Sequence, residues 1–349
     1  KSVMPTAIML DLQMPDLDGV EYLRILGERG CTANVIVMSG FDARILKTAV
    51  RLGEERGLRM SGGMQKPLSM ETLKQGLNDI RRNQNPVSVP GIQLAVREKQ
   101  FYLQYQPKIR IGRETETGTK LSLASGDWPL DSCEALIRWR HPTGGLIMPD
   151  SFIPFAEANE LMVPLTEFVM HAMVDQLVAW GEEGFKPSIG FNVSPKTMTD
   201  LQLPDRLAEL CDAAGIAHNR VIAEITETAA MTDVQRSMDT LTRLRLKGFR
   251  VAVDDFGTGY SSLVQLHRMP FTELKIDKSI IMELGMEEDA LTITRSIIDL
   301  AHNLGMEVCA EGVETQACVD ILRDLECDIL QGYYFHKPVE APELRKISK

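Results

Sequence analysis

Short apolar runs alternate with amphipathic stretches along most of this chain. From about residue 92 onward, the apolar runs that predict strands are FYLQYQPKI, CEALIRWRH, PSIGFNVSP, RVIAEITET, RVAVDDFG, FTELKID, EVCAEGVET and CDILQGYYF. Helical spacing of hydrophobic residues separates most of them, for example at 166–180, 234–247 and 290–304. Strand–helix alternation repeated this often over about 250 residues favours a closed (β/α)8 barrel over an open sheet.

The front of the chain shows the same alternation in a shorter form. Apolar runs predict strands at 6–12 and 34–40, and amphipathic stretches predict helices at 19–27, 43–52 and 69–81. A glycine-rich passage, in which no strand is predicted, leads to Lys66 and Pro67. This part of the chain is therefore predicted to be a small α/β unit.

Two polar segments interrupt the pattern. NQNPVSVPG (83–91) carries two prolines and no periodicity, which is typical of a linker. The polar, glycine-rich residues 110–131 are predicted to form a long loop. We therefore predict a front domain at 1–82, a linker at 83–91 and a barrel domain at 92–349.

Composition and charge narrow the class of protein. Hydrophobic residues make up 44% and charged residues 25% of the chain, as in ordinary soluble proteins. No apolar run is long enough to cross a bilayer, and the start does not resemble a signal peptide, so a cytoplasmic protein is expected. The net charge of −11 disfavours a nucleic-acid polymer or an anionic membrane as partner.

Polar residues stand where several of the predicted strands end. In a parallel barrel such positions converge on one rim, which is where barrel enzymes carry their chemistry. A single acid there commonly caps the following helix. A ring of acids, however, is electrostatically unfavourable without cations, and oxygen ligands without nearby Cys or His favour Mg²⁺ or Mn²⁺. The candidate ligands are Asn192, Glu224, Asp254, Asp255 and Glu311, with Glu227, Lys275 and Gln331 also close to strand ends.

Glu134 is different because it stands early in its strand. Period-two alternation places Glu134, Leu136 and Arg138 on one face. An inward carboxylate on this face needs a partner, which could be a metal ion or a buried ion pair with Arg138. The pattern of this strand leaves both alternatives open.

An ordered set of motifs resembles the EAL-domain cyclic di-GMP phosphodiesterases. The resemblance runs from about residue 92 to the end of the chain. It is carried by QPK (106–108), EALIRWRHP (134–142), FNVSP (191–195), EITET (224–228), DDFGTGYSSL (254–263), LKIDKSII (274–281), AEGVET (310–315) and QGYYF (331–335). It implies a barrel modified by one antiparallel strand and a homodimer formed through this domain.

The resemblance also implies a two-metal site with Mg²⁺ or Mn²⁺. One ion would be held by Glu134, Asn192, Glu224 and Asp254, and the second by Asp254, Asp255 and Glu311. Two such ions would support in-line hydrolysis of cyclic di-GMP to linear pGpG. A sensor that binds without cutting, or a regulator that only contacts other proteins, would usually lack some of these residues. Their completeness favours an active enzyme.

Roles for further residues follow from the same resemblance. Lys275 would contact the attacking water or the phosphate, Asp255 would act with it, and Glu311 would be the base. Glu227 would hold the loop at 256–262. The expected substrate contacts are Leu136, Arg138 and Gln331.

The front segment DLQMPDLDG (11–19) resembles the phosphoacceptor segment of response-regulator receiver domains, which have a flavodoxin-like fold. Asp11 would be the acceptor, assisted by Ser39 and Lys66, and a sensor histidine kinase would be the partner. The sequence starts just before the third receiver strand, so the acidic pair that binds Mg²⁺ in this family is not in it. We therefore expect this partial receiver domain not to accept phosphate competently.

Overall fold

The computed structural model describes residues 5, 7–14, 17–31, 33–40, 43–74, 86–111, 128–142, 144–257 and 263–347. The chain divides into two compact units. The first comprises Lys1–Gly91 with Pro142–Gly144, and the second comprises Ile92–His141 with Gly145–Lys349.

The first unit contains a parallel sheet in the order β1 (Ala7–Asp11), β2 (Asn34–Ser39) and β3 (Arg59–Gln65). The helices α1 (Gly19–Glu28) and α2 (Ala43–Glu55) accompany it. The Asp18 side chain caps α1 by accepting a hydrogen bond from the Glu21 amide at 2.8 Å. The core lies between sheet and helices and includes Leu10, Leu23, Val35, Val37 and Leu46.

Strand β3 corrects the prediction for the glycine-rich passage, where no strand was expected. Its sequence RMSGGMQ has low strand propensity because of its two adjacent glycines. Pairing with the buried strand β2 nevertheless holds this segment extended, so tertiary context prevails over propensity. Of the helix predicted at 69–81, residues 70–74 are helical, and 75–81 lie outside the described residues.

Within the ranges given above, the second unit contains nine strands. These are β4 (Phe101–Arg110), β5 (Leu130–His141), β6 (Gly145–Ile147), β7 (Ser188–Asn192), β8 (Val221–Thr226), β9 (Arg250–Phe256), β10 (Glu273–Ile276), β11 (Glu307–Ala310) and β12 (Ile329–Gln331).

Helix α3 (Val89–Arg97) begins in the last residues of the first unit, and most of it belongs to the second. The other described helices of the second unit are α4 (Pro149–Ala158), α5 (Met162–Glu182), α6 (Pro195–Met198), α7 (Leu203–Ala213), α8 (Glu227–Thr232), α9 (Val234–Leu246), α10 (Leu263–Arg268), α11 (Lys278–Met282), α12 (Glu288–Asn303), α13 (Gln316–Asp324) and α14 (Ala341–Ile347).

Eight of the strands close into a barrel, which confirms the predicted fold. β5, β7, β8, β9, β10, β11 and β12 pair in parallel, in that order. The first strand, β4, runs antiparallel to both β12 and β5 and closes the ring. The short β6 adds to β5 outside the ring as a hairpin. The inverted strand is therefore β4.

Helix packing on the outside of the barrel explains the apolar alternation of the strands. On β4, Leu103, Tyr105 and Ile109 join the main core. Tyr105 meets Trp180 of α5 edge-on, with ring centroids 4.9 Å apart. The long α5 buries nine residues, from Met162 to Trp180, and so shields the strands from water.

The structure describes only parts of the predicted linker (83–91) and of the predicted loop (110–131). Residues 89–91 of the predicted linker are helical, because α3 begins at Val89, while 83–85 lie outside the described residues. Of the predicted loop at 110–131, Arg110 ends β4 and 130–131 open β5. Residues 112–127 lie outside the described part of the chain. Within the described residues, no helix is both long and apolar enough to span a bilayer.

Candidate metal centre

The carboxyl ends of the parallel strands bring the predicted ligands to one rim of the barrel. Asn192 ends β7 and lies opposite Glu224 of β8. Asp254 of β9 lies opposite the last residue of β8. Glu134 lies opposite Gly190, two residues before the end of β7. Glu134 appears early in its strand because β5 is twelve residues long and continues past this rim.

A β-bulge directs two consecutive aspartates to the same place. Neighbouring residues of a regular strand point to opposite faces. The pairing of β9 with β10 shifts register here, so that Asp254 and Asp255 together lie opposite Lys275. Asp255 has a φ of 55°, a left-handed conformation that aspartate adopts more readily than most residues. Both carboxylates can therefore face the rim.

Two groups of three carboxylates result, and they share one member. The ligand oxygens of Glu134, Glu224 and Asp254 lie within 4.8 Å of one another. The same holds for Asp254, Asp255 and Glu311. This arrangement could hold two neighbouring cations with Asp254 between them, because hard cations take several oxygen ligands at short distance.

The ammonium group of Lys275 lies at the centre of these carboxylates and is almost completely buried. Its Nζ is 2.7 Å from Glu311 Oε1, 2.8 Å from Glu224 Oε2, 3.0 Å from Asp254 Oδ1 and 3.5 Å from Glu134 Oε2. Burial alone would lower the pKa of Lys275, but the surrounding carboxylates outweigh it and hold that pKa well above its usual range. Lys275 is therefore charged and offsets part of the negative charge.

The pKa values of two acids, Glu311 and Asp254, are raised in these surroundings. Burial raises the pKa of Glu311 to about 8, and the Lys275 ammonium opposes this only in part. Burial also raises the pKa of Asp254 to about 6, with Lys275 opposing and Glu224 reinforcing the rise. These acids have more negative neighbours than one lysine can balance. A divalent cation would stabilise their ionised forms.

Glu224 is the exception among the buried acids because two lysines contact it. Lys275 donates to Oε2 at 2.8 Å and Lys108 of β4 donates to Oε1 at 2.6 Å. Burial would raise the pKa of Glu224, but the two ammonium groups outweigh this effect and lower it to about 2. Glu224 also occupies space that Gly190 leaves open, since a Cβ there would lie 1.9 Å from Oε1.

The two alternatives for Glu134 are decided by its contacts. Asn192 donates its amide to Oε1 at 2.7 Å, and Gln331 donates to Oε2 at 2.8 Å. Arg138 donates instead to Gln104 Oε1 at 2.8 Å and to a backbone carbonyl. Among the described residues, Glu134 and Arg138 form no ion pair within 4.0 Å. Glu134 therefore belongs to the carboxylate group.

The expected substrate residues lie in different surroundings. Leu136 lines a cavity of about 620 Å³ together with Asn192 and Asp255. Arg138 does not line it and lies on the neighbouring part of β5. Gln331 holds Glu134, and its buried Oε1 accepts no hydrogen bond from any residue that the structure describes. Such an acceptor is suited to a ligand or a water molecule.

Glu227 reaches the start of the predicted loop. Its Oε2 accepts a hydrogen bond from the Gly257 amide at 3.2 Å, directly after β9. Residues 258–262, which form most of the loop at 256–262, lie outside the described residues.

The sequence analysis missed Lys108 and Gly190 as site residues. Lys108 was noted only as part of QPK, although period two on β4 places it on one face with Gln104, Gln106 and Arg110. That four-residue polar face was the available sign of an interior position. For Gly190 there was no comparable sign, because its importance depends on a side chain from another strand.

The comparison with known families decides the classification. The EAL domain, as a family, matches residues 91–338 of this chain. This chain belongs to the EAL-domain family.

Relatives of the EAL domain extend the comparison. The chain is 35% identical to the bifunctional diguanylate cyclase/cyclic di-GMP phosphodiesterase MucR of Pseudomonas aeruginosa over 251 residues. These residues are 72% of this chain and 35% of MucR. It is 29% identical over 339 residues to the cyclic di-GMP phosphodiesterase RocR of the same organism. The chain thus spans 35% of the length of MucR and 83% of the length of RocR.

A solved structure agrees with this placement. The PaMucR phosphodiesterase in complex with c-di-GMP superposes with a TM-score of 0.66 at 34% sequence identity. The match covers 73% of this chain and 98% of that one.

The first unit of the chain has a separate polar cluster. Asp11, Ser39 and Lys66 lie at the carboxyl ends of β1, β2 and β3. Lys66 Nζ is 2.5 Å from Asp11 Oδ2, and the Lys66 amide donates to the Ser39 carbonyl at 2.9 Å. The hydrogen bond from Lys66 is the main cause that lowers the pKa of Asp11.

Gly190→Ala in the EAL domain should disturb the rim without changing a ligand. The new Cβ would collide with Glu224 Oε1 and force this carboxylate away from the other two acids. We expect Mn²⁺ binding to the substrate-free protein to weaken about 10- to 100-fold, as for other changes that misorient ligands. Titration calorimetry measures the affinity. Gly181→Ala on α5, where a Cβ meets open space, is the matched control, and an equal loss there would contradict the prediction.

Proposed function

We propose that this chain hydrolyses cyclic di-GMP to linear pGpG at the rim of its EAL barrel, with the help of two divalent cations. The observation that carries the proposal is the pair of carboxylate groups that share Asp254 around Lys275. The names of MucR and RocR, and the c-di-GMP complex of PaMucR, support the same substrate.

The donor set fits hard cations such as Mg²⁺ or Mn²⁺. The two groups supply only carboxylate oxygens, and no thiolate or imidazole belongs to either of them. Glu134, Glu224 and Asp254, joined by the amide oxygen of Asn192, would hold one ion. Asp254, Asp255 and Glu311 would hold the other. Bound there, such ions lower the pKa of a water molecule and neutralise charge on a phosphoryl group.

The chain's own side chains would position the phosphate and accept a proton from the attacking water. Lys275 Nζ lies within 3.5 Å of four acids of the rim, so its ammonium would also lie close to a phosphate bound there. Glu311 is the candidate proton acceptor, since it lies at the edge of the cluster and is more exposed than Glu224. Asp255 lies beside both and lines the adjoining cavity. A base must lie within hydrogen-bond reach of the proton it accepts.

The substrate would occupy the adjoining cavity. Its walls include apolar side chains such as Leu136, Ile153 and Leu165, which suit the flat face of a base, and Asn192 and Asp255 lie at its metal end. Gln331 Oε1 would accept a hydrogen bond from the substrate or a water molecule. Arg138 would approach the phosphate from the neighbouring side of β5.

Cation dependence is the most direct test of this function. With Mg²⁺ or Mn²⁺ the purified chain should convert cyclic di-GMP to pGpG, as followed by chromatography. EDTA should abolish turnover, and Ca²⁺ should not restore it, because Ca²⁺ is larger and holds its ligands in a looser geometry.

Turnover in EDTA, or full activity with Ca²⁺, would contradict the two-cation site. Binding of cyclic di-GMP without any turnover would instead support a non-hydrolysing sensor.

Glu311→Ala should abolish turnover and leave substrate binding measurable. The variant loses the proposed base and one ligand, whereas Glu134, Glu224 and Asp254 remain. Single-turnover rates and calorimetric binding of cyclic di-GMP in Mg²⁺ separate the two effects. Asp320→Ala, which removes an exposed acid on α13, is the control and should keep normal rates. A Glu311→Ala rate close to that of the control would refute the role as base.

We also propose that the first unit is part of a receiver domain in which Asp11 accepts phosphate. The ion pair between Asp11 and Lys66, next to Ser39 at the ends of three parallel strands, supports this proposal. A cation and a lysine beside the aspartate would neutralise the phosphoryl oxygens, and a cognate histidine kinase would supply the phosphate.

In a protein that also contains a complete receiver domain, acetyl phosphate and Mg²⁺ should produce hydroxylamine-labile phosphate. Asp11→Asn should remove it. Equal labelling of Asp11→Asn, measured by intact mass, would show that Asp11 is not the acceptor.

A further inference from the structure

A chain of alternating charges runs through the interior of the barrel below the metal centre. β4 and β8 are not neighbours in the sheet, so contacts between them cross the interior. From the rim downward the ion pairs are Lys275–Glu224, Lys108–Glu224, Lys108–Glu273, Arg250–Glu273, Arg250–Glu307, Arg110–Glu307 and Arg110–Asp131. Of the lower members, Glu273, Arg250, Glu307 and Asp131 lie at the amino-terminal ends of their strands, at the opposite end of the barrel from the rim. Arg110 reaches the same end because it is the last residue of the inverted β4.

Within this series of ion pairs, Lys108 is the residue that lies just below the rim and contacts one of its carboxylates. Its side chain is fully buried, and its Nζ lies 2.6 Å from Glu224 Oε1 and 3.0 Å from Glu273 Oε1. The other oxygen of Glu224 faces Lys275 at 2.8 Å. Because Oε1 is held inside the barrel, Oε2 is directed at the rim. Oε1 also lies against Gly190, where an added Cβ would collide with it.

We propose that Lys108 is a positioning residue that holds Glu224 in the orientation needed to bind a cation at the rim. The proposal rests on the proposed function, since it concerns a ligand of the same site. Lys108 contacts neither the other carboxylates of the rim nor the cavity beside it, so far as the described residues show. It therefore acts through Glu224.

Electrostatics alone would predict the opposite effect, because a positive charge behind a ligand repels a cation. Here the charge of Lys108 is balanced by Glu273, at 3.0 Å, while its hydrogen bond to Glu224 remains. Outer partners that orient a ligand in this way typically contribute about 10- to 100-fold to metal affinity. The orienting effect should therefore outweigh the repulsion.

The test is a titration of the substrate-free protein with Mn²⁺, followed by the electron paramagnetic resonance of free Mn²⁺. Lys108→Met should weaken binding about 10- to 100-fold. Lys108→Gln, which keeps an amide donor, should fall between Lys108→Met and the wild type. In steady-state assays at saturating Mn²⁺, kcat should fall more than KM changes, since the cavity that holds the substrate is intact.

Two further variants separate positioning from a general loss of stability. In Lys108→Met the buried Glu273 loses one of its two cationic partners and keeps only Arg250. Lys108→Met/Glu273→Gln also removes this carboxylate, so thermal stability should recover in part while Mn²⁺ affinity stays low. Arg110→Met breaks ion pairs at the far end of the same chain of charges and should lower stability without changing Mn²⁺ affinity.

Several outcomes would overturn the proposal. These are unchanged or tighter Mn²⁺ binding in Lys108→Met, recovery of Mn²⁺ affinity together with stability in the double variant, or an equal affinity loss in Arg110→Met. A wild-type protein that binds Mn²⁺ but does not cut cyclic di-GMP would refute the proposed function alone, and the variants would still test Lys108. A wild-type protein that binds no Mn²⁺ would refute both.

Discussion

The contact between the Lys275 ammonium and the surrounding carboxylates is the interaction on which the site depends. Burying one charge in a barrel interior is costly, and burying several of the same sign is more so. Lys275 allows four acids from four other strands to lie within 3.5 Å of one point without facing only each other. The surplus of negative charge that remains would favour a bound divalent cation. The same pairing thus stabilises the folded barrel and defines where a cation can bind.

The position of the site could be predicted from the sequence because the relevant pattern is local. Several predicted strands end in or next to a polar residue, and parallel strands carry their ends to one rim, so the spacing alone indicated that Asn192, Glu224 and Glu311 would approach one another. The bulge at Asp254 and Asp255 could not be predicted, since it depends on register with β10. The contact of Lys108 with Glu224 joins residues 116 positions apart and arises only when the barrel closes. Strand β3 was not predicted because its two glycines lower the strand propensity of the segment, whereas its extended conformation depends on pairing with β2.

The inverted strand has a structural consequence for the interior. Because β4 runs opposite to its neighbours, its side chains descend from the rim as the chain proceeds, from Gln104 beside Arg138 to Arg110 at the far end. Gln106 meets Gln331 between these two levels. A single strand therefore supplies polar partners at every depth of the barrel. Its other face, with Leu103, Tyr105 and Ile109, stays in the apolar shell beneath the helices.

A barrel interior filled with branched apolar side chains would be the simpler solution for stability. Replacing buried ion pairs by apolar residues of similar volume is often neutral or stabilising. Stability alone therefore gives no reason for a buried Lys108 between Glu224 and Glu273. The proposed metal centre does give a reason. If Glu224 must keep one oxygen directed at a cation, its other oxygen needs a rigid partner, and Lys108 is that partner. The charged interior is best explained as the support of the metal centre.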